Sequence, residues 1–173
     1  MSLLEIKNLK VHYPIRGGFF NKVVDHVYAV DGVSMVIEQG KTYGLIGESG
    51  SGKSTIGKTI IGLEKATAGE ILYNGKNILD PKVRKEMKFN REVQMIFQDS
   101  MSSLNPKKRV LDILAEPIRN FEKLSKEAEK EKIYELLEIV GMPKDSIYKY
   151  PHEFSGGQRQ RLGIARAIAC KPK

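Results

Sequence analysis

The sequence predicts an α/β fold, mixed over its first 97 residues and helical afterwards. Three observations predict it: an alternating apolar pattern opens the chain, a short apolar run feeds a glycine-rich loop and an amphipathic segment, and helical periodicity takes over beyond Gln98. Leu4-Glu5-Ile6-Lys7 alternates like a half-buried strand and continues through Leu9, Val11 and Tyr13. Pro14-Ile15-Arg16-Gly17-Gly18 is loop chemistry. After Phe19-Phe20-Asn21-Lys22, a second strand is expected near Tyr28–Ile37, with a turn at Gln39-Gly40. Thr42-Tyr43-Gly44-Leu45-Ile46 reads as a short strand, followed by a helix that places Ile56, Ile60 and Leu63 on one face. Glu70-Ile71-Leu72-Tyr73 and Glu92–Phe97 are the remaining expected strands. Ile133, Leu136, Leu137 and Val140 then follow helical spacing, stopped by Gly141 and Pro143. Leu162, Ala165 and Ala169 repeat the signal in the final segment.

Composition narrows the function classes. With 40% apolar and 29% charged residues, the 173-residue chain is neither disordered nor collagen-like. Its one cysteine, Cys170, forms no internal disulfide and points to a reducing compartment. No apolar run approaches the ~18 residues of a membrane helix, and Met1-Ser2-Leu3-Leu4-Glu5-Ile6-Lys7 lacks a signal peptide's apolar core. A cytoplasmic chain is therefore expected, linked to a membrane through partners and not inserted directly. The net charge of +8 suits nucleic acid or polyphosphate. Its distribution weakens the first reading. Arg159, Arg161, Arg166, Lys171 and Lys173, in an acid-free stretch from Ser155, supply five of the eight charges, and Glu122–Lys132 mixes signs like a solvated helix face.

The strongest chemical feature is Gly47-Glu48-Ser49-Gly50-Ser51-Gly52-Lys53-Ser54, which matches G-x-x-x-x-G-K-[ST] between an expected strand and an expected helix. Its glycines let the backbone curl until successive N–H groups face phosphate oxygens, and the helix N-terminus adds partial positive charge. Lys53 is expected at the β- and γ-phosphates, Ser54 on Mg²⁺ and Thr55 at the α-phosphate. ATP and Mg²⁺ are the expected ligands.

Two later segments carry a family resemblance. Phe154-Ser155-Gly156-Gly157-Gln158-Arg159-Gln160-Arg161 resembles the signature motif of ABC-type ATPases, and Val93-Gln94-Met95-Ile96-Phe97-Gln98-Asp99 resembles their Q-loop, in the family's order. Ser155 is also a good helix N-cap. The resemblance implies that Tyr13 stacks on adenine and that Gln98 contacts Mg²⁺ or the attacking water. It further implies that Ser155, Gly156, Gly157 and Gln158 meet an ATP held by a second, paired ATP-binding subunit. Tyr13-Pro14-Ile15-Arg16-Gly17-Gly18, Ala29-Val30-Asp31-Gly32-Val33-Ser34, Ser102-Ser103-Leu104-Asn105-Pro106 and Tyr150-Pro151-His152-Glu153 narrow it to the ATP-binding subunits of oligopeptide and dipeptide importers. Ser100-Met101 departs from that pattern without functional weight.

The fold this resemblance implies is a P-loop NTPase core of ABC type: a partial RecA-like lobe with an antiparallel β subdomain, plus a helical subdomain. Residues 1–97 would form the core, 98–154 the helical subdomain, and 155–173 the signature and its helix. A Walker B strand, a catalytic glutamate and a switch histidine should follow the signature. Here the sequence ends at Cys170-Lys171-Pro172-Lys173 instead, so the C-terminal strands of the core are expected to be missing. The expected function is the energy-coupling ATPase of a peptide importer, on the inner face of the cell membrane through permease subunits, with no direct nucleic-acid partner. Two alternatives stay open: a truncated remnant with weak nucleotide binding and no turnover, and a soluble ABC protein acting on ribosomes or DNA. Nickel or another small solute stays open as cargo. His12 and His26 have no metal-ligand spacing with any cysteine or acid, and His152 reads as local packing or capping.

Overall fold

The structure, a computed structural model, describes residues 2–18, 20–99 and 103–173. Phe19, Ser100-Met101 and Ser102, named in the motifs above, lie outside the described residues. Two compact units divide the chain, Met1–Asn90 and Arg91–Lys173.

In the first unit, β1 (Ser2–Gly17) and β2 (Lys22–Glu38) form a long antiparallel hairpin. β3 (Ala68–Tyr73) pairs with the other side of β1, and the two-residue β4 (Lys76–Asn77) completes the order β2-β1-β3-β4. Helix α1 (Lys53–Ile61) lies between β2 and β3 in sequence; the short helices α2 (Pro81–Glu86) and α3 (Phe89–Glu92) follow β4. Leu4 and Ile6 are buried, and so are Leu9 and Val11, which stand one residue out of phase with them. Asn8 makes the correction: its positive φ of 47° and the register break between Ile6 and Leu9 bring both apolar pairs to the core face. Gly69 faces that bulge. A Cβ there would lie 2.5 Å from the Asn8 carbonyl oxygen and 2.7 Å from Leu9 Cα, so only glycine lets β3 approach. Ile71, Tyr73, Ile78 and Phe89 extend the core, with Phe89 edge-on to Tyr73 at 5.1 Å.

In the second unit, α4 (Val110–Phe121), α5 (Lys126–Ile139) and α6 (Gly156–Ile168) surround one apolar core. Val110, Ile113, Leu114 and Ile118 come from α4, Ile133 and Leu137 from α5, Leu162 and Ala165 from α6. Ser125 caps α5 by accepting from Ala128 N, and Gly141, at φ +65°, ends it where the sequence expected. The mixed charges of Glu122–Lys132 form the exposed face the sequence predicts, and three of them are also paired. Glu122 accepts from Lys132 at 2.7 Å and Arg91 at 3.1 Å, while Glu129 takes a two-pronged contact from Arg119. The Lys132 ammonium, ahead of Arg91, holds the Glu122 carboxyl below its usual range. Cys170 is buried, and burial pushes its thiol up.

The fold class stands: an antiparallel β subdomain with a phosphate-loop helix, then a helical subdomain, and no described strand after residue 77. Three local expectations need correction. Thr42–Ile46 and Glu92–Phe97 are not strands: residues 41–48 and 93–97 carry no regular structure, and Glu92 ends α3. A strand exists only by pairing, and every described strand belongs to the one antiparallel sheet, which leaves these apolar runs without a ladder. Pro14–Gly18 is largely not a loop. β1 continues to Gly17, because pairing with β3 stops at Lys10 and Pro14 sits where β1 has a partner on one side alone.

Candidate functional site

The loop Gly47–Lys53 folds around its own lysine. Lys53 Nζ donates to the carbonyl oxygens of Gly47 at 2.8 Å and Glu48 at 2.5 Å, and to Ser51 Oγ at 3.2 Å. Ser51 N donates back to the Glu48 carbonyl, closing the turn. Gly52 is the N-cap of α1, with φ +88°, and a Cβ there would lie 2.2 Å from the Ala29 carbonyl oxygen. The loop is therefore seated on the β2 backbone at a point no side chain could occupy. Lys53, Ser54 and Thr55 begin α1, whose first-turn N–H groups have no acceptor within the helix. Gly47, Glu48, Ser49, Gly50, Ser51 and Ser54 are all exposed. The free first-turn N–H donors of α1, an ammonium and an open hydroxyl make a donor set that fits a polyphosphate and its divalent cation.

Tyr13 stands beside the start of this helix. Its phenol is raised above its ordinary range by burial first, then by the hydrogen bond it makes with Glu64, while a hydrogen bond with Thr55 pulls the other way. The Tyr13 hydroxyl thus lies close to both the residue expected at the α-phosphate and the segment after α1. Val27 is Tyr13's direct partner across the hairpin and shares its face. At the far end of α1, Arg84 donates to the Ile60 carbonyl oxygen at 2.7 Å and the Ile78 carbonyl oxygen at 3.1 Å, with its guanidinium 4.6 Å from the Phe89 ring centre. Burial lowers its pKa from the ordinary arginine value. Neither Glu64 nor Arg84 belongs to a sequence motif; both act through contacts made only once the chain has folded.

In the second unit, Ser155 caps α6 in a reciprocal box. Its Oγ accepts from Gln158 N at 3.3 Å, and Gln158 Oε1 accepts from Ser155 N at 3.0 Å. Nothing lies within 4 Å of a Cβ built on Gly156 or Gly157, so no described residue of this chain demands glycine at either place. Ser155→Ala is expected to lower stability by about 1 kcal/mol through loss of the cap, read from urea unfolding followed by circular dichroism. The arginines of α6 bond backbone oxygens: Arg159 that of Phe154, Arg161 that of Gly141 and Arg166 that of Ser103. Burial lowers the pKa of Arg166. Lys173 pairs with Glu92 at 2.8 Å. Much of the C-terminal positive charge is therefore engaged locally. Gln98 lies exposed at a bend, and the His152 ring stacks on Tyr150 at 5.7 Å. Among the described residues, no cluster of histidine, cysteine or acidic side chains could hold a metal by itself, and no helix is long and apolar enough to cross a membrane.

Comparison with known proteins places this geometry. The family model described as "ABC transporter" matches residues 30–173. The chain is 60% identical over 172 residues to the oligopeptide transport ATP-binding protein OppF of Lactococcus lactis subsp. lactis (strain IL1403), covering 99% of this chain and 54% of that protein. With OppF of Bacillus subtilis (strain 168) it shares 51% identity over 175 residues, covering 99% and 55% respectively. The chain thus spans about half the length of the curated relatives it matches. Among solved structures, the ATP-binding cassette MJ0796, a dimer in a post-hydrolysis state bound to ADP and Pi, superimposes with a TM-score of 0.84 at 28% identity. That match covers 98% of this chain and 70% of the other. The structure of cbiO1 from Clostridium perfringens, part of the ABC transporter complex cbiONQ, gives 0.75 at 26% identity, covering 99% and 63%.

Proposed function

Because the chain belongs to the ABC transporter family, we propose that it binds Mg-ATP as the energy-coupling subunit of an importer for oligopeptides. The reading rests above all on one observation, the Gly47–Ser54 loop seated on β2 and closed around Lys53. The peptide cargo is supported by the names of relatives that are 60% and 51% identical.

In this reading the triphosphate takes over the donors that now bond loop carbonyls. Lys53 turns its ammonium from Gly47 and Glu48 to the β- and γ-phosphates, and the first-turn N–H groups of α1 meet the phosphate oxygens. Ser54 would hold Mg²⁺, which when bound draws charge from the phosphates, and Gln98 would complete its surroundings or orient water. Adenine stacks on Tyr13, whose hydroxyl lies close to Thr55 and Glu64. Ser155, Gly156, Gly157 and Gln158 address the nucleotide of a second ATP-binding subunit, and both glycines are open to it. Residues 1–97 serve as nucleotide core, 98–154 as the segment that follows nucleotide state, and 155–173 as the signature. Permease subunits would hold the assembly at the inner face of the cell membrane.

Ser54→Ala tests the core of the reading. In titrations with and without Mg²⁺, the variant is expected to lose at least about tenfold in affinity for Mg-ATP, a single charge-assisted contact, while affinity for metal-free ATP changes little. Equal losses under both conditions would sink the assignment of Ser54 to the metal. A second reading, nucleotide binding without turnover, is favoured by the unpaired run Thr42–Ile46 that leads into the loop. A phosphate-release assay on the same sample separates the two.

A further inference from the structure

Beyond Lys10 the first unit's sheet narrows to a ribbon. Pairing of β1 with β3 ends at Lys10–Ala68, whereas β1 and β2 stay paired out to Gly17–Lys22, and the chain reverses through a turn in which Asn21 N donates to the Gly18 carbonyl oxygen. A two-stranded ribbon has no core of its own, and in water it is expected to carry polar side chains. This one does not. At its outer end Phe20 is 81% exposed and Val24 65%, with Ile15 and Val23 exposed as well. The stretch from Pro14 to Val24 contains no acid and two cations, Arg16 and Lys22. Arg16 pairs directly with Val23, and Lys22 Nζ stands 5.9 Å from the Phe20 ring centre, so each cation is set against an apolar neighbour.

We propose that this tip, residues 15–18 and 20–24, is a peripheral contact for an anionic phospholipid surface. Separate aliphatic and aromatic side chains, with cations beside them and no acid among them, match the boundary between phosphate headgroups and acyl chains. Phe20, Val23 and Val24 enter the apolar layer, while Arg16 and Lys22 stay at the phosphates. Nucleic acid would use the cations and the ring but has no place for the aliphatic side chains. The tip is distinct from the nucleotide contacts proposed above. It lies past Tyr13 on the ribbon, so failure of the lipid contact leaves the ATP reading standing, and failure of ATP binding leaves the lipid contact testable.

The chain contains no tryptophan, so Phe20→Trp installs a single reporter at an exposed site. With vesicles of phosphatidylglycerol and phosphatidylcholine, its emission is expected to move to shorter wavelength and to be quenched by brominated acyl chains. Pure phosphatidylcholine should leave it unchanged, and about 1 M salt, where the screening length is ~3 Å, should reverse it. Adding Arg16→Gln and Lys22→Gln should reduce partitioning roughly 25-fold, at about fivefold for each basic side chain near an anionic surface. Ile139→Trp, an exposed reporter in the second unit, should stay silent. Unchanged Phe20→Trp emission on anionic vesicles would overturn the proposal. Equal response to neutral lipid, or an equal response from Ile139→Trp, would overturn it too, since either means unspecific adhesion.

Discussion

Gly52→Ala is expected to lower affinity for Mg-ATP by at least about thirtyfold. The φ of +88° at this position costs an L-residue roughly 1–2 kcal/mol. The new methyl would then meet the Ala29 carbonyl oxygen at 2.2 Å, a contact that overpacking estimates put at about 1–3 kcal/mol more. Relief comes only by lifting the N-cap of α1 off β2, which carries Lys53, Ser54 and Thr55 away from their common focus. About 1.4 kcal/mol corresponds to each factor of ten. Titration with a fluorescent ATP analogue reads the loss, and circular dichroism checks that the sheet persists. Affinity within about twofold of the unaltered chain would show that the loop does not depend on its seat against Ala29.

Leu137→Ala should be strongly destabilising in the helical unit. The side chain is fully buried in the core cluster to which all three helices contribute. Deletions of this kind cost about 2–5 kcal/mol, comparable with the whole stability of a small unit, about 5 kcal/mol or more. A fall in melting temperature of about 10 °C or more is expected at roughly 4–8 °C per kcal/mol. Hydrogen exchange should place the lost protection within residues 91–173. A shift of only a degree or two would mean that α5 is not held by this core.

What could be read from the sequence was local. The phosphate loop is legible because glycine, lysine and serine lie within eight consecutive residues, and the end of α5 and the start of α6 are legible because Gly141 and Ser155 act through neighbours, whereas the Ser125 cap of α5 is seen only in the structure. The strands split by a different rule. Leu4 to Val11 succeeded because β3 is present to pair with it, and Thr42–Ile46 failed because apolar character cannot supply a partner. The out-of-phase step at Asn8 is invisible in composition, since it lies in one backbone angle. At the site, Tyr13 could be named from its motif, but Glu64 and Thr55, which its hydroxyl lies close to, stand 42 or more positions away. The arginines of α6 suggested an anion partner by count. Their geometry directs them to carbonyl oxygens, which no residue tally distinguishes.

The unpaired run before the phosphate loop also bears on how the chain behaves in a crowded solution. Tyr43, Leu45 and Ile46, the last 95% exposed, lie in an uncharged stretch from Thr42 to Gly47 that contains no proline. Such a segment is a ready template for intermolecular β-pairing. Only Lys41 and Glu48 flank it as charged gatekeepers. The segment that delivers the phosphate loop is therefore also a point of exposure to self-association. Its solubility should rise on placing a charge at Ile46, measured as light scattering during storage.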